Sequence, residues 1–207
     1  MFTVGIINYG MGNILSVFHA VEMVGGDPKI CNAPEELLNV DKIILPGVGA
    51  FKSCMDNLES KGFLIGLHET VIRKGKPILG ICLGMQVMAK LGFEGGEFKG
   101  LGWFNAEVIR LHPDNSALRV PHIGWNDIRY RKESPLFSGL TLHPEFYFVH
   151  SFSMKCKNEN DVEATCEYGE VITAAIKKDN IFATQFHPEK SQDYGLKVLE
   201  NFLKWKP

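Results

Sequence analysis

Two short runs of the sequence are almost entirely apolar, and they constrain the fold more than any other feature. The first, Lys42–Leu45, contains the core Ile43-Ile44-Leu45, and the second is Pro77–Ile81. Apolar runs of this length without polar alternation are typical of strands buried on both faces of a parallel sheet. Parallel strands need crossover connections, so helices are expected between and around these runs.

Helical and strand-like segments alternate through the first half of the chain. Apolar residues at helical spacing follow Asn13, whose side chain suits a helix N-terminus. We predict strands at Thr3–Ile7, Lys29–Cys31, Lys42–Leu45 and Pro77–Ile81, and helices after Asn13, from Pro34, and over Phe51–Ser60, Leu64–Lys74 and Leu83–Leu91. This alternation predicts an α/β fold with a mostly parallel central sheet flanked by helices.

The second half of the chain is richer in strands. The predicted strands are Glu107–Arg110, His122–Ile128, Glu145–His150, Val162–Cys166, Val171–Ile176 and Ile181–Phe186, and a closing helix is predicted at Gly195–Trp205. The connections are too short for crossovers, so at least some of these strands must pair antiparallel. With 45% hydrophobic residues and no linker or repeat, residues 1–207 are predicted to form a single domain with this added antiparallel region.

Charge and cysteine content narrow the partners and the environment. The formal net charge is only −2, so neither nucleic acid nor a membrane surface is a predicted partner. The first charged residue is Glu22, so the uncharged stretch before it could be mistaken for a membrane segment. Asn8 and His19 interrupt this stretch and it lacks a basic leader, so no membrane segment is predicted there. The five cysteines have no paired spacing, which favours free thiols in a reducing cytoplasm.

The segment Gly80-Ile81-Cys82-Leu83-Gly84 stands between a predicted strand and a predicted helix. A nucleophile elbow has small residues two positions before and after the nucleophile, because its turn is too tight for a Cβ. The helix dipole would also favour the thiolate form of a cysteine at this position. The alternative is a buried cysteine at a strand end, with glycines that serve packing alone.

A nucleophilic thiol needs a base, and His187 is the best placed of seven histidines, in Gln185-Phe186-His187-Pro188-Glu189. Pro188 favours an extended backbone at His187, and residues two apart in an extended segment point to the same side. Glu189 can therefore orient the imidazole of His187 toward Cys82, which is the arrangement that acyl transfer requires. Both Cys82 and His187 follow predicted strands, and sites collect beyond strand C-termini. On its own, His187 would be read as a surface turn histidine.

Backbone N–H groups for an oxyanion are expected at Leu83 and in Pro46-Gly47-Val48-Gly49, which follows a buried strand. His150 and Ser151 are candidates for lining a polar pocket, although His150 also fits a half-buried structural histidine. The sequence contains no cluster of metal-ligand residues, no Walker loop and no complete GxGxxG, so no metal or cofactor is predicted.

Together these segments resemble the class I, triad-type glutamine amidotransferases, and among them the glutaminase subunits of imidazole glycerol phosphate synthases. The matching segments are Asn8-Tyr-Gly-Met-Gly-Asn13, Pro46-Gly-Val-Gly-Ala-Phe51, Gly80-Ile-Cys-Leu-Gly-Met-Gln86, Pro121-His-Ile-Gly-Trp-Asn126, Tyr147-Phe-Val-His-Ser151 and Gln185-Phe-His-Pro-Glu-Lys-Ser191. They occur in the family's order over nearly the whole chain. The resemblance implies the flavodoxin-like glutaminase fold of that family.

The resemblance also implies roles for individual residues. Cys82 would attack the side-chain amide of L-glutamine, His187 would protonate the departing ammonia, and Glu189 would orient His187. The implied oxyanion donors are the backbone groups of Val48, Gly49 and Leu83, and the implied glutamine contacts are Gly49, Gln86, His150 and Ser151. The family passes ammonia to a (β/α)8-barrel cyclase subunit in a heterodimer, which makes imidazole glycerol phosphate and aminoimidazole carboxamide ribotide in histidine biosynthesis.

Two departures from the family pattern keep a second partner open. Residue 8 is Asn where the family usually has Asp, and Gly100–Glu107 lacks the Pro-Gly that commonly precedes this strand. A paralogous glutaminase that supplies ammonia for surface-sugar amidation is therefore an alternative. A cysteine peptidase would have no reason to keep Gln86, His150 and Ser151 together. A regulatory subunit would not need all three triad residues, and a flavodoxin-like nucleotide binder would need a phosphate loop.

Overall fold

The computed structural model describes residues 2–115 and 117–207. Its strands are β1 (Thr3–Ile7), β2 (Asp27–Cys31), β3 (Lys42–Gly47), β4 (Ile78–Cys82), β5 (Ala89–Gly92), β6 (Phe98–Lys99), β7 (Phe104–Arg110), β8 (His122–Asp127), β9 (Arg129–Tyr130), β10 (Glu145–His150), β11 (Phe152–Cys156), β12 (Val162–Glu167), β13 (Val171–Lys178) and β14 (Ile181–Thr184). Its α-helices are α1 (Ile14–Met23), α2 (Phe51–Ser60), α3 (Phe63–Leu67), α4 (Leu83–Gln86) and α5 (Gln192–Lys204). No helix within the described ranges is long and apolar enough to cross a membrane.

The central sheet has eight strands in the order β2-β1-β3-β4-β14-β13-β12-β9. The first five are parallel to one another, and β13, β12 and β9 extend the sheet in antiparallel fashion. A four-stranded sheet (β11-β7-β5-β6) and a two-stranded sheet (β10-β8) complete the molecule. The predicted fold, a mostly parallel sheet with an antiparallel region from the second half, is confirmed.

Both faces of the central sheet are covered, which explains the continuous apolar runs. Ile44 belongs to one core cluster, together with residues of α1 and α5. Its neighbours Ile43 and Leu45 belong to the other cluster, with residues of α2 and α3. Successive side chains of a strand point to opposite faces, so a strand between two helical layers has no position for a polar residue.

One predicted element is wrong. The helix predicted over Leu83–Leu91 ends at Gln86, and Ala89–Gly92 is strand β5 instead. This strand pairs with β7 and with β6, so long-range pairing decides its structure over local helical spacing. The segment from Pro34 is a 3₁₀ helix over Pro34–Asn39. The predicted helix Leu64–Lys74 is present as α3 followed by a π-helical segment, His68–Arg73.

The parallel strands β3, β4 and β14 bring three separate parts of the chain to one edge of the sheet. Leu45 pairs with Gly80, Gly47 pairs with Cys82, and Thr184 pairs with Ile81. The carboxyl ends of these strands carry the Gly47–Gly49 loop, Cys82 and the Gln185–Glu189 segment. The segments that carry the predicted nucleophile, base and oxyanion donors therefore reach the same edge, whereas His150 ends β10 of the two-stranded sheet and Ser151 follows it.

Candidate active site

Cys82 occupies a strained turn between β4 and α4. Its φ is 54° and its ψ is −108°, a backbone conformation that costs a non-glycine residue about 1–3 kcal/mol. A Cβ on Gly84 would lie 1.9 Å from the carbonyl oxygen of Leu45, and one on Gly80 would lie 2.9 Å from the carbonyl oxygen of Gly84. The elbow thus packs directly on β3, and these contacts account for the glycine at each position.

Backbone and side-chain hydrogen bonds fix the His187 segment against strand β10. Its backbone is extended (φ −100°, ψ 96°), and its N–H donates to the carbonyl oxygen of Tyr147 at 3.0 Å. The Ser191 hydroxyl donates to the His187 carbonyl at 2.6 Å and accepts from the Tyr147 N–H at 3.0 Å. Glu189 lies in a short 3₁₀ turn, not in an extended segment, yet its Oε1 is 2.8 Å from His187 Nδ1.

The ion pair of His187 and Glu189 is excluded from water, since the two side chains are 1% and 2% exposed. Burial alone would lower the pKa of His187, but the nearby Cys82 sulfur and the Glu189 carboxylate, hydrogen-bonded at 2.8 Å, outweigh it and raise this pKa to about 10. Glu189 engages Nδ1, whereas Nε2 makes no hydrogen bond to any described residue. His187 is therefore a proton donor at neutral pH, with Nε2 as its unengaged nitrogen.

Cys82 and His187 open into one cavity of about 420 Å³. This volume falls within the range of about 300–1,000 Å³ that is usual for small-molecule sites. The cavity wall also contains six other residues predicted from the sequence, which are Val48, Gly49, Leu83, Gln86, His150 and Ser151. Glu189 is the one predicted site residue that lies behind the wall, where it contacts His187.

Gln86 anchors the floor of the cavity through two hydrogen bonds of its side-chain nitrogen. Nε2 donates to the carbonyl oxygen of Phe152 at 2.9 Å and to Oε1 of Gln185 at 3.0 Å. Both amide hydrogens are used in this way, so the side-chain oxygen is the atom of Gln86 that remains for a ligand. The same Phe152 carbonyl accepts a hydrogen bond from Nδ1 of His150 at 2.8 Å.

His150 forms a buried pair with His122. Because Nδ1 of His150 donates to a carbonyl, its Nε2 must be the acceptor, and it lies 3.1 Å from Nδ1 of His122. The His122 ring is stacked against Phe148 and Tyr168. Burial lowers the pKa of both histidines to about 4, with the other ring adding to the effect on His122. Both imidazoles are therefore neutral at neutral pH.

Two charged residues of the cavity wall were not predicted. The Glu94 carboxylate accepts a hydrogen bond from the Phe51 N–H at 2.8 Å, and the Lys190 ammonium lies 5.8 Å from the centre of the Tyr147 ring. Lys190 directly follows the His187-Pro188-Glu189 segment, and this proximity was an available signal. Glu94 had none, because it follows β5, which the sequence predicted as helix.

The fold and this cavity match one class of enzymes, the glutamine amidotransferases. The model of the class I glutamine amidotransferase family matches residues 6–205, so the chain belongs to this family. A crystal structure described as a glutamine amidotransferase superposes with a TM-score of 0.73 at 21% identity, covering 96% of this chain and 98% of that one. At this identity the likeness shows the fold alone.

Curated relatives are much more similar in sequence. Imidazole glycerol phosphate synthase subunit HisH 1 of Campylobacter jejuni (strain RM1221) is 48% identical over 201 residues, which are 97% of this chain and 99% of the relative. Imidazole glycerol phosphate synthase subunit HisH 2 of Nitrobacter winogradskyi is 44% identical over 212 residues and covers 100% of both chains. The chain is thus similar to these subunits from end to end.

Proposed function

We propose that this protein is the glutaminase subunit of an imidazole glycerol phosphate synthase. It hydrolyses L-glutamine to glutamate and ammonia, and the ammonia passes to a (β/α)8-barrel cyclase subunit that acts in histidine biosynthesis. The observation that carries the proposal is the single cavity in which Cys82 faces a buried His187–Glu189 ion pair. The relatives named as synthase subunits support the pathway and the two-subunit assembly.

In the proposed mechanism Cys82 and His187 share the chemistry of acyl transfer. The Cys82 thiolate attacks the side-chain amide carbon of glutamine, and the tetrahedral intermediate expels ammonia, which takes its proton from Nε2 of His187. Water then attacks the glutamyl thioester, with His187 as the base that accepts the water proton. Glutamate leaves and the thiolate is restored. Glu189 keeps the proton of Nδ1 in place throughout, so Nε2 is always the nitrogen that exchanges protons.

Backbone N–H groups of Val48, Gly49 and Leu83 stabilise the oxyanion in this proposal. All three residues line the cavity beside Cys82, and Gly49 has a φ of +102°, which a side chain would disfavour. The β3–β4 pairing fixes this loop against the elbow, since Gly47 is the partner of Cys82. A fixed donor of this kind contributes about 2.7–4 kcal/mol to transition-state stabilisation.

The polar atoms of the wall fit an amino acid that carries both charges. We assign the substrate ammonium to Glu94, whose second carboxylate oxygen has no role in the Phe51 hydrogen bond. We assign the substrate carboxylate to Ser151 and to the Lys190 ammonium across the cavity. Gly49 and the Gln86 oxygen contact the reacting end of glutamine. His150 contributes as wall and support, because its two ring nitrogens already bond to Phe152 and His122.

The two departures from the family pattern lie outside the cavity wall. Asn8 donates from Nδ2 to Oδ1 of Asn32 at 2.8 Å, a bond that a carboxylate could not donate, so its amide suits a local partner. A Cβ on Gly100 would lie 2.3 Å from the Ala89 carbonyl oxygen, so this glycine serves the packing of β5. The five free cysteines fit our assignment of the protein to the cytoplasm.

The test is glutamate release from glutamine by the purified chain, measured with and without the cyclase subunit of the same organism and its nucleotide substrate. We expect strong stimulation by the cyclase, and a loss of at least about 10⁴-fold in Cys82→Ala. Synthesis by the Cys82→Ala complex from added ammonium salt should be unchanged. Cys156→Ala, a free cysteine away from the cavity, is the control and should match the wild type.

Each other outcome discards a defined part of the proposal. Cys82-dependent hydrolysis without stimulation would keep the glutaminase and reject the histidine-pathway partner, leaving surface-sugar amidation as the next partner to try. Loss of ammonia-dependent synthesis in Cys82→Ala would reject the division of labour between the subunits. Peptide cleavage without glutamate release would reject the glutaminase itself.

A further inference from the structure

Gln185 is fully buried beside the nucleophile, and the mechanism above gives it no role. It directly follows β14, the strand that lies next to β4 in the sheet. Its side-chain Nε2 is 3.6 Å from Sγ of Cys82, and its Oε1 is 3.0 Å from Nε2 of Gln86. Gln185 therefore bridges the reacting sulfur and a residue assigned to substrate binding.

The direction of this bridge is fixed by chemistry. The Phe152 carbonyl can only accept, so the nitrogen of the Gln86 amide must point to it, at 2.9 Å. The second hydrogen of that nitrogen points to Gln185, so the Gln185 side chain must accept it with its oxygen. The nitrogen of Gln185 then has one place left, against the sulfur of Cys82. A flipped Gln185 amide would set two donors against each other at Gln86.

The sulfur is thus contacted by polar groups from different elements. Gln185 approaches from the end of β14, and the Val149 carbonyl of β10 lies at 3.9 Å, while His187 lines the same cavity. A carbonyl oxygen favours the thiol, since it can accept the S–H proton. A donated amide N–H favours the thiolate, since hydrogen bonds to a charged acceptor are the stronger ones.

We propose that Gln185 is a further catalytic residue of the glutaminase, whose side-chain amide donates a hydrogen bond to the Cys82 sulfur and stabilises it as a thiolate. The proposal rests on the function proposed above. The same donor serves twice in each cycle, because the sulfur carries negative charge before it attacks the amide and again when glutamate leaves. No bond forms or breaks at Gln185, and it neither gains nor loses a proton.

The arrangement also links substrate binding to the nucleophile. A glutamine that donates to the Gln86 oxygen polarises the amide of Gln86, which in turn strengthens its bond to the Gln185 oxygen. A more polarised Gln185 is a better donor to the sulfur. The bridge thereby makes the thiolate most stable when substrate is present.

The experiment measures alkylation of Cys82 by iodoacetamide at pH 7 and pH 10, with the Cys82 peptide quantified by mass spectrometry. Alkylation needs the thiolate, so the ratio of the two rates reports how well the thiolate is stabilised. We expect Gln185→Met to lower the rate at pH 7 about tenfold relative to that at pH 10. The kcat for glutamine should fall by a similar factor, with a smaller change in KM.

The matched control is Thr184→Val. Thr184 is also fully buried, and its replacement also removes a hydrogen bond, from Oγ1 to the Phe186 carbonyl at 3.0 Å, but its side chain makes no hydrogen bond to Cys82 within the described structure. Its alkylation ratio should equal that of the wild type. If Gln185→Met does not fold, Gln185→Glu keeps the length and the acceptor for Gln86, and its carboxylate opposes the thiolate, so it too should slow alkylation at pH 7.

If both Gln185 variants had the wild-type ratio of Cys82 alkylation rates at pH 7 and pH 10, the proposal would be overturned. An equal fall of this ratio in Thr184→Val would also overturn it. Alkylation does not require glutamine turnover, so the two proposals fail separately. A protein that hydrolyses no glutamine but whose Cys82 alkylation depends on Gln185 would reject the glutaminase and uphold the contact. A protein that hydrolyses glutamine but whose Cys82 alkylation is unchanged in the Gln185 variants would reject the contact alone.

Discussion

Two pairs of buried side chains border the same cavity, and both contain histidine, yet they hold opposite charge states. His187 faces the Glu189 carboxylate at 2.8 Å, and its pKa rises to about 10. His150 faces the ring of His122 at 3.1 Å, and burial lowers the pKa of both to about 4. Similar burial therefore gives a proton donor in one place and a neutral support in the other, and the partner decides which.

The comparison shows how one cavity separates chemistry from scaffolding. A charged ring at His150 would repel the charged ring of His187, which is one of the effects that lower the pKa of His150. Keeping His150 neutral leaves the positive charge at the nitrogen that faces Cys82. The stacked rings of Phe148 and Tyr168 supply the apolar surroundings that enforce this difference at His122.

The largest effect should come from neutralising the carboxylate. In Glu189→Gln the amide can still contact His187, but the charge that favours the protonated ring is gone. We expect kcat/KM for glutamine to fall about 10³–10⁴-fold, the scale seen when the orienting carboxylate of a catalytic triad becomes an amide. Glu170→Gln breaks an ion pair of similar length but less buried, with Lys155 at 2.9 Å and outside the cavity, and should stay within twofold of the wild type. Equal losses in both variants would mean that the effect is general destabilisation.

A smaller effect should appear in the pH dependence of stability. Between pH 6.5 and 4 the unfolded chain binds protons that His122 and His150 in the folded chain do not, so acidification favours unfolding. At His187 the sign is reversed: its contribution is complete below pH 6.5 and is lost as pH rises toward 10. Urea unfolding from pH 4 to 10 measures both limbs, and the acid limb should amount to roughly 3 kcal/mol for each of the two histidines.

Two variants separate these limbs. His122→Phe should reduce the acid limb by about half, because His150 still contributes, and should leave the alkaline limb unchanged. His187→Asn should remove the alkaline limb and leave the acid limb. The phenyl ring fits the stack between Phe148 and Tyr168, so the fold should be retained. An acid limb that is as steep in His122→Phe as in the wild type would contradict the assignment of neutral rings.

The smallest effect should be that of His122→Phe on glutamine turnover. This change removes the donor to Nε2 of His150 and so loosens the ring next to Ser151, without touching the triad. We expect KM to rise about three- to tenfold with kcat nearly constant, because only substrate binding is affected. His143→Gln, an exposed histidine, serves as the control. A fall in kcat with constant KM would place His122 in the chemical step and remove the distinction between the two pairs.

Much of this arrangement follows from the sequence because its signals are local. The apolar runs at β3 and β4, the glycines around Cys82 and the Pro188 that extends His187 each act within a few residues. The close approach of Gly84 to Leu45 shows why the glycines around Cys82 predict this turn, since the turn has no space for a Cβ. What the sequence did not reveal depends on distant partners.

Strand β5 and the cavity residue Glu94 are examples of features that depend on distant partners. Ala89–Gly92 has helical spacing, but pairing with β7, more than ten residues away, determines its structure. The His122–His150 pair likewise joins β8 to β10 through register, and no spacing rule within either strand indicates it. The amide direction of Gln185 depends on the carbonyl of Phe152, which belongs to yet another strand.

The position of β14 has a consequence for how the protein is made. Among the described strands it is the last in chain order, yet it lies in the middle of the sheet, between β4 and β13. A nascent chain that ends at Lys178 has β4 as an unprotected edge, open to pairing with other chains. It also carries Cys82 without His187. The insertion of β14 therefore both completes the sheet and brings the His187 segment, which holds the proposed base, to the edge where Cys82 lies.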